Sequence, residues 1–394
     1  MKLKSLSLIL TIFFGLNTLM AQEPITNKKG SKYRFEVIKN LDATPVENQN
    51  RTGTCWSFSA LSFFESELLR QGKGTVDLSE MYIVRNAYIG KAVNYLRMYG
   101  TFTFGPGGAF HDIPWVIKRD GIVPNSVYQG LNYGYKKHNH SEMNAVLTAM
   151  VKALAKKPQR GKLTPSWKKA FTEVVDAYLG DLPDDLHDFK FTVDGKEYNP
   201  YTYRDHLGLN MDDYVCLTSY NHHPFYKPFV LEVQDNWAMK SCYNLPLDEL
   251  MEVMESAIMK GYTFAWGADI SEKGFSSKNA LAILPVDEET LEKDTKGTNA
   301  FMEPVEEKWV TQEERQEAFD LQATTDDHGM HATGILKDQN GKKYFIIKNS
   351  WGTKYNDCDG YFYASFPYVR YKTMNIMVHK DALSEKMKRR LGIK

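Results

Sequence analysis

The fold of this chain is decided by the stretch Gln49–Ser59, QNRTGTCWSFS, in which a cysteine follows a Gly-Thr turn. Cys55 opens an apolar segment that runs to Leu69, so the pattern predicts a helix that starts at the cysteine. A helix N-terminus carries unsatisfied N–H groups and a partial positive charge, which favours the thiolate that attacks carbonyl carbon. The amide of Gln49 and the backbone N–H of Cys55 would then supply two donors for a developing oxyanion.

A cysteine nucleophile needs a base, and the base needs an orienting group; both are predicted near the other end of the chain. His331 begins one apolar run and Asn349 ends the next, with Asn340-Gly341 between them. An Asn-Gly pair indicates a two-residue hairpin turn. Such a turn pairs His331 with Ser350, so the hairpin would bring the imidazole beside the amide of Asn349.

His328 competes with His331 for the role of base, since both lie in the segment DDHGMH at Asp326–His331. We choose His331, because it adjoins the predicted strand and falls opposite Asn349. With Cys55 as the nucleophile, we expect a thiolate–imidazolium ion pair at rest.

Two other readings of the same residues stay open. Asp326, Asp327, His328 and His331 could ligate a metal in a metal-dependent hydrolase, although that reading leaves Cys55 unexplained. The chain could also be a binding scaffold whose catalysis has lapsed, which the intact cysteine, histidine and asparagine argue against. Chelator sensitivity and a peptide hydrolysis assay would separate these readings.

The conjunction of these motifs resembles the papain superfamily of cysteine peptidases and, more narrowly, the bleomycin hydrolase and aminopeptidase C branch. The superfamily motifs are matched by Gln49, Cys55, His331 and Asn349–Gly352, and the branch is matched by segments such as Phe264–Asp269. The resemblance implies an α+β, papain-like two-lobe fold, with a helical lobe, a β-barrel-like lobe and a large helical insertion. It also implies hydrolysis of peptide substrates at a catalytic Cys-His-Asn site with no cofactor and no metal.

In papain-like enzymes a Gly-Gly pair borders the substrate groove, so Gly107 and Gly108 are substrate-binding candidates by resemblance. A plain pair of turn glycines is the alternative reading. Trp351 is a third candidate in the groove, where we expect it to shield the contact between His331 and Asn349 from water.

The branch is expected to be an aminopeptidase because a carboxyl-terminal arm fills its groove, and it is expected to assemble as a homo-hexamer. Here the segment after Asn349 is short and ends in the basic run Lys386–Lys394, unlike that arm. An aminopeptidase is therefore the activity that the resemblance implies, and an endopeptidase with an uncapped groove is the alternative.

The amino terminus has the three regions of a secretory signal peptide, with Lys2 and Lys4, the apolar run Leu6–Leu16 and the small residue Ala21. We predict cleavage before Gln22, export across the inner membrane to the periplasm or the cell exterior, and no stable membrane insertion. The 49 basic and 49 acidic residues balance, so we expect no nucleic-acid partner.

The predicted organisation is a signal peptide at 1–21 and a papain-like peptidase domain at 22–394, with a helical insertion at about 141–260. Ser79 and the capping box Thr311–Glu314 predict helix starts. Cys216 lies in an apolar run and is predicted to be a buried small hydrophobe, whereas the pattern leaves open whether Cys242 and Cys358 pair.

Overall fold

The computed structural model describes residues 25–156, 162–292 and 299–394. The predicted signal peptide at 1–21 and the predicted cleavage before Gln22 lie outside the described residues. The helices are α1 (Cys55–Arg70), α2 (Glu80–Arg97), α3 (Asp112–Asp120), α4 (Ser141–Ala155), α5 (Ser166–Leu179), α6 (Pro200–Leu207), α7 (Leu247–Lys260), α8 (Gln312–Asp320), α9 (Phe366–Lys372) and α10 (Glu385–Leu391). Across these described ranges, no helix has the length and apolar character needed to cross a bilayer.

One large sheet organises the other half of the molecule. The strands are β1 (Glu36–Asn40), β2 (Phe191–Val193), β3 (Lys196–Tyr198), β4 (Tyr214–Thr218), β5 (Pro228–Val230), β6 (Ser241–Asn244), β7 (Phe264–Ala268), β8 (Phe275–Ser276), β9 (Leu281–Ala282), β10 (His328–Lys337), β11 (Lys343–Lys348), β12 (Tyr361–Ser365) and β13 (Thr373–His379). Within the described residues, 11 strands form the sheet β5-β6-β4-β13-β7-β10-β11-β12-β9-β8, with β1 on β10. Strands β2 and β3 form a separate hairpin.

The helix boundaries follow the capping residues of the sequence. The Ser79 hydroxyl accepts the N–H of Tyr82 at the start of α2, and Thr311 and Glu314 form the predicted capping box of α8. Helix α3 ends at Gly121, whose φ of 75° suits glycine. The predicted helix at the cysteine is confirmed over Cys55–Arg70.

Two separate hydrophobic cores define two lobes. One core joins α1–α6 through side chains such as Phe64, Tyr82 and Phe171. The other lies in the sheet, around Trp266 and Phe345, and is covered by α7, α9 and α10. Helix α1 is buried along most of its length because it packs against α2 on one side and β10 on the other. The predicted α+β two-lobe architecture is confirmed.

The range 141–260, predicted as a helical insertion, contains both helices and strands. Helices α4 and α5 add Met143, Leu147, Phe171 and Val175 to the core of the helical lobe. Strands β4, β5 and β6 join the large sheet instead. This range therefore contributes to both lobes.

The hairpin between β10 and β11 differs from the two-residue turn that was predicted. Five residues connect the strands, because the Asp338 carboxylate accepts the N–H groups of Asn340 and Lys342 and holds a wider turn. A bulge at Thr333 shifts the register once more. His331 consequently pairs with Lys348, and the predicted pairing with Ser350 is wrong.

The cysteine assignments also need one correction. Cys216 on β4 forms a disulfide with Cys242 on β6, so it is not an isolated buried thiol. The two strands are parallel neighbours whose register brings these positions together. Cys358 is a free thiol whose Sγ donates to the carbonyl of Asn27 at 3.3 Å, so a pairing of Cys242 with Cys358 is excluded.

Candidate active site

The N-terminus of α1 opens into a cleft between the two lobes. Cys55 lines this cleft together with Gly108 from the helical lobe. The opposite wall carries Asp326 and His328 at the start of β10 and Asp235 from the connection between β5 and β6. Residues distant in the sequence, including a thiol and an imidazole, therefore share one opening.

Cys55 is a free, partly exposed thiol at the first position of α1. Burial raises the pKa of the Cys55 thiol to about 12, and the charges of Asp235 and Asp326 raise it further, while the backbone N–H groups of Gly329 and Trp56 lower it. Desolvation in the cleft therefore opposes the thiolate that the helix N-terminus favours.

His328 contacts the asparagine that the sequence analysis assigned to His331. Its Nε2 lies 2.8 Å from Oδ1 of Asn349, an oxygen that also accepts the N–H of Ser350. The indole of Trp351 packs on the His328 ring at 4.8 Å between centroids. Because a carbonyl oxygen only accepts, Nε2 must carry the proton, which leaves a lone pair on Nδ1. Burial lowers the pKa of His328 to about 4, so the ring is neutral at rest.

His331 lies elsewhere, and its assignment as the base is wrong. The residue is fully buried; its Nδ1 is 2.9 Å from the hydroxyl of Ser62 in the middle of α1, and its ring packs edge-on against Phe63. It lines a closed polar cavity with Glu65 and Lys348. Burial and the Lys348 charge keep the pKa of His331 well below its usual value.

The alternation of side chains along β10 explains why the two histidines have different surroundings. Successive residues of a strand point to opposite faces, so positions three apart lie on different sides. Gly329 and His331 face α1, where an added Cβ at Gly329 would approach Ser59. His328 points to the other side, toward Asn349. The parity of the strand could have separated the two even in the predicted register, because Ser350 and Lys348, the predicted and observed partners of His331, both alternate with Asn349.

Gln49 is held between the segment before Cys55 and Ser350 by both ends of its amide. Its Nε2 donates to the carbonyl of Thr52 at 2.9 Å, and its Oε1 accepts the hydroxyl of Ser350 at 2.6 Å. Its backbone N–H donates to the carbonyl of Ser350. One hydrogen of Nε2 remains for an oxyanion, and the N–H of Cys55 is among the first donors of α1, which no helical carbonyl can satisfy.

The Gly107-Gly108 pair borders the cleft. A Cβ at Gly108 would come within 2.8 Å of Asp112 Oδ2 and of the Trp56 ring, and a Cβ at Gly107 would overlap the carboxylate of Asp235. Both positions therefore require glycine because neighbouring groups approach the backbone closely. The proximity of Asp235 to Gly107 could not be predicted from the sequence, because no local pattern connects positions so far apart.

Comparison with known families identifies the class of this protein. The model of the Peptidase C1-like family matches residues 14–393, which is nearly the whole chain. This chain belongs to the Peptidase C1-like family. It is a papain-type cysteine peptidase, and the free thiol and the imidazole–asparagine pair lie in the cleft between its lobes.

Relatives of this Peptidase C1-like protein cover most of its length. It is 23% identical over 396 residues to "Aminopeptidase C" of Streptococcus thermophilus, with 90% of this chain and 85% of the relative covered. It is 23% identical to "Bleomycin hydrolase" of Mus musculus, with 82% and 78% covered. Among solved structures, pepW from Lactobacillus rhamnosis HN001 superposes with a TM-score of 0.68 at 20% identity, covering 91% of this chain and 84% of that one, which supports the fold.

The metal reading of Asp326–His331 is not supported by the structure, because Asp327, His328 and His331 each have a separate partner. The Asp327 carboxylate accepts the N–H groups of Ile270 and Ser271, at 3.0 and 3.2 Å. The two histidines point to opposite faces of β10, as described above. Within the described residues, the segment does not form a group of three ligand atoms close enough to share one ion.

A different group in the described part of the chain has ligand atoms close enough for a metal. His222, His223 and Glu232 have nitrogen and oxygen atoms within 4.8 Å of one another. They lie at the surface beside β5, and both Nε2 atoms contact the carboxylate, at 3.1 and 2.9 Å. These contacts are explained by ordinary His–Glu hydrogen bonds and are separate from the cleft.

Proposed function

We propose that this protein is a cysteine aminopeptidase in which Cys55 is the nucleophile, His328 the base, Asn349 the orienting group and Gln49 an oxyanion donor. The observation that carries the assignment is the 2.8 Å contact between His328 and Asn349 beside a free thiol at a helix N-terminus. The names of the Aminopeptidase C and Bleomycin hydrolase relatives support the substrate class, which is peptides.

The first half of the reaction forms a thioester. His328 Nδ1 takes the proton of Cys55 Sγ while the sulfur attacks the peptide carbonyl carbon, so a C–S bond forms and the carbonyl oxygen becomes an oxyanion. Burial disfavours an isolated charge on Cys55 or on His328. The proton transfer avoids an isolated charge, because it creates the thiolate and the imidazolium side by side. Gln49 Nε2 and the N–H of Cys55 donate to the oxyanion. His328 then protonates the leaving nitrogen as the C–N bond breaks.

The second half regenerates the enzyme. Water attacks the thioester carbon, His328 takes a proton from that water, and the C–S bond breaks to release the acyl group as a carboxylic acid. The proton returns to Cys55. Asn349 holds the imidazole in one tautomer throughout, and the packed indole of Trp351 limits the access of water to their hydrogen bond.

Replacement of the nucleophile tests the proposed function. Cys55→Ala should abolish hydrolysis of fluorogenic peptides and remove alkylation of the active-site thiol, with Cys358→Ala as the matched control because that residue is the other free cysteine of the described chain. The melting temperature should be unchanged in the Cys55 variant. Residual hydrolysis at the wild-type rate would exclude Cys55 as the nucleophile.

Exopeptidase action is the finer part of the proposal. The carboxyl-terminal residues do not support a capping arm, since α10 packs its Met387 and Leu391 into the core of the sheet lobe, and Arg390 pairs with Glu249 on α7. A different segment, the connection between β5 and β6, supports a closed groove because it carries Asp235 to Gly107. An endopeptidase requires that the groove be open there.

We also propose that residues 1–21 act as a signal peptide and that the mature enzyme works in the periplasm or outside the cell. The charged start and the apolar run support this, as does the Cys216–Cys242 disulfide, since structural disulfides persist in oxidising compartments. Determination of the amino terminus of the protein recovered from its native cells should give Gln22. An intact Met1 would contradict the proposal.

The homo-hexamer implied by the family resemblance is retained as a proposal about assembly. Helices α4 and α5, which would build such contacts, already bury one face in the helical lobe and expose residues such as Val146 on the other. Light scattering after size exclusion would measure the mass directly. A monomeric mass at micromolar concentration would exclude the hexamer.

A further inference from the structure

The connection between β5 and β6 crosses the cleft from one lobe to the other. This crossing loop, residues Leu231–Lys240, begins and ends in the large sheet, but its tip packs on the helical lobe. The indole of Trp237 packs edge-on against Trp115 of α3 at 5.4 Å, and its Nε1 donates to Asp112 at 2.6 Å. Asn94 of α2 donates to the Trp237 carbonyl. The crossing loop therefore spans the opening beside Gly107.

The crossing loop is fixed by its own hydrogen bonds. The amide of Asn236, which is 6% exposed, donates to the carbonyls of Leu231 and Lys240 at 3.1 and 2.9 Å, and its oxygen accepts the N–H of Lys240. One side chain thus ties the two ends of the crossing loop together. The neighbouring residue, Asp235, is held in a defined position as a result.

Asp235 places its carboxylate directly on the backbone of Gly107. A Cβ at that position would overlap both carboxylate oxygens, so the contact depends on glycine. Asp235 lines the cleft together with Cys55 and His328. Within the described part of the chain, its carboxylate forms no hydrogen bond and no direct salt bridge.

Positive charge is scarce around this carboxylate. The charged groups that interact with it are the carboxyls of Asp112 and Asp326, the thiol of Cys55 and a single ammonium, Lys91. The Lys91 Nζ already donates to the carbonyls of the segment 105–107. Burial raises the pKa of Asp112 and of Asp326 to about 7 and also raises that of Asp235. One cation faces three carboxyl groups, so a further cation entering the cleft would be stabilised.

We propose that Asp235 binds the α-ammonium group of the peptide substrate and that the crossing loop ends the groove at this point. The inference rests on the proposed function above and names what selects its substrates: an unblocked amino terminus. A peptide backbone lying beside Gly107 and Gly108 would place its terminal nitrogen against the Asp235 carboxylate, with a carbonyl carbon further along the chain over Cys55. A longer peptide could not extend past the crossing loop.

Binding of this ammonium should also assist the chemical step. The negative charges of Asp235 and Asp326 oppose formation of the Cys55 thiolate, and a bound cation offsets them. A substrate with a free amino terminus would therefore both bind more tightly and react faster. An acetylated substrate lacks the charge and gains neither effect.

The test compares matched substrates on matched variants of the full chain. One- and two-residue peptidyl coumarin amides are prepared with a free and with an acetylated amino terminus. The variant is Asp235→Asn, and the control is Glu232→Gln, which removes a carboxylate from the same crossing loop at an exposed site outside the cleft. For the free-amine substrates, kcat/KM should fall about 10- to 100-fold in Asp235→Asn, the usual range for losing a charged hydrogen bond, with kcat reduced as well as KM raised.

The acetylated substrates should change little, so the preference for a free amino terminus collapses in Asp235→Asn and persists in Glu232→Gln. Equal preference in Asp235→Asn and the wild type would overturn the role of Asp235 while leaving the peptidase intact. Equal cleavage of free and acetylated substrates by the wild type would also overturn it. Hydrolysis of none of the four substrates by the wild type would overturn the proposed function and this inference together.

Two further measurements keep the test decisive if Asp235→Asn does not fold. Gly107→Ala should displace the carboxylate and reproduce the lost preference. On the wild type, alaninamide should compete with substrate at least 10-fold better than N-acetylalaninamide, because only the first carries an ammonium. Equal inhibition by the two amides would contradict the inference without any variant.

Discussion

His328 and His331 lie on the same strand, both buried and both with a pKa lowered by burial, yet they belong to different regions of the molecule. His328 lines the cleft that also contains Cys55, and Asn349 and Trp351 fix its ring. His331 faces a closed polar cavity behind α1, where Ser62 contacts one nitrogen and the other, Nε2, has no hydrogen-bond partner. The comparison sets a histidine that shares a cleft with a free thiol against one that is enclosed behind α1.

The difference shows that the low histidine pKa does not identify a catalytic residue by itself. Burial produces the shift at both sites. What distinguishes His328 is access to a cleft that also contains a thiol, together with an amide that fixes one tautomer. Geometry therefore has to be established before titration behaviour is interpreted.

The largest expected effect comes from removing each ring in turn. His328→Ala should lower kcat about 10³- to 10⁴-fold, because the general base is lost, and should also cost about 2–4 kcal/mol of stability, because its ring is buried against Trp351. His331→Ala should keep kcat within a few-fold and lose about 2–4 kcal/mol of stability, because a buried ring leaves a cavity. Peptide hydrolysis and urea melts measure the two quantities. A reversed pattern would return the base role to His331.

The polar cavity can be disturbed without touching the cleft. Lys348 donates to Thr44 and Ser62 at 3.0 and 2.7 Å and offsets the charges of buried carboxyls, including Glu65. Lys348→Met should lower the free energy of unfolding by about 3–5 kcal/mol at pH 8, since it leaves the buried negative charge of Glu65 without its partner.

The same variant should be less affected at pH 5. Burial raises the pKa of Glu65 from 4.5 to about 8, so the protonated carboxyl favours the folded state below pH 4.5, and this contribution is lost as the pH rises through 8. Lys343→Met is the matched control on the same strand, because its ion pair with Glu255 is exposed and worth under about 1 kcal/mol. Urea melts at both pH values give the result; an equal cost at pH 5 and pH 8 would contradict it.

A smaller effect is expected for the oxyanion donor on the cleft side. Gln49→Ala should lower kcat about 10²- to 10³-fold and leave KM nearly unchanged, because its amide acts on charge that exists only in the transition state. The neighbouring Asn50→Ala, which changes an exposed amide bonded to Asn48, serves as the control. Wild-type kcat in Gln49→Ala would remove the residue from the mechanism.

The smallest expected effect is on the pH dependence of kcat/KM. Neutral His328 is required as the base, and burial lowers its pKa to about 4, so kcat/KM should be maintained as the pH falls and decline only near pH 4. The decline should persist in Asp326→Asn, which removes a nearby carboxyl with a pKa of about 7. A decline centred near pH 6.5 in both proteins would mean that the base is a solvated histidine.

Much of the fold around the site could be predicted from the sequence, because short-range patterns determine it. The start of α1 at Cys55, the cap at Ser79 and the capping box at Thr311 all depend on neighbouring residues. The family motifs around Gln49 and Asn349 are also short runs of neighbouring residues, so they could be recognised in the sequence.

The pairing partner of His331 could not be read in the same way, because it depends on the Asp338 turn and a bulge at Thr333. Each shifts the pairing by one residue, so together they move the partner of His331 by two residues, from Ser350 to Lys348, and leave its face unchanged. The contact of Asp235 with Gly107 depends on tertiary packing between lobes, for which no pattern in the sequence exists.

The acidic wall of the cleft has a consequence for labelling reagents. Iodoacetate carries a negative charge and iodoacetamide does not, although both alkylate the same sulfur. With Asp235 and Asp326 facing Cys55, the neutral reagent should modify this enzyme much faster than the anionic one, and electrophiles bearing an amine should be faster still. Activity-based probes for this enzyme are therefore best built with a positive charge at the end that enters the cleft beside Gly107.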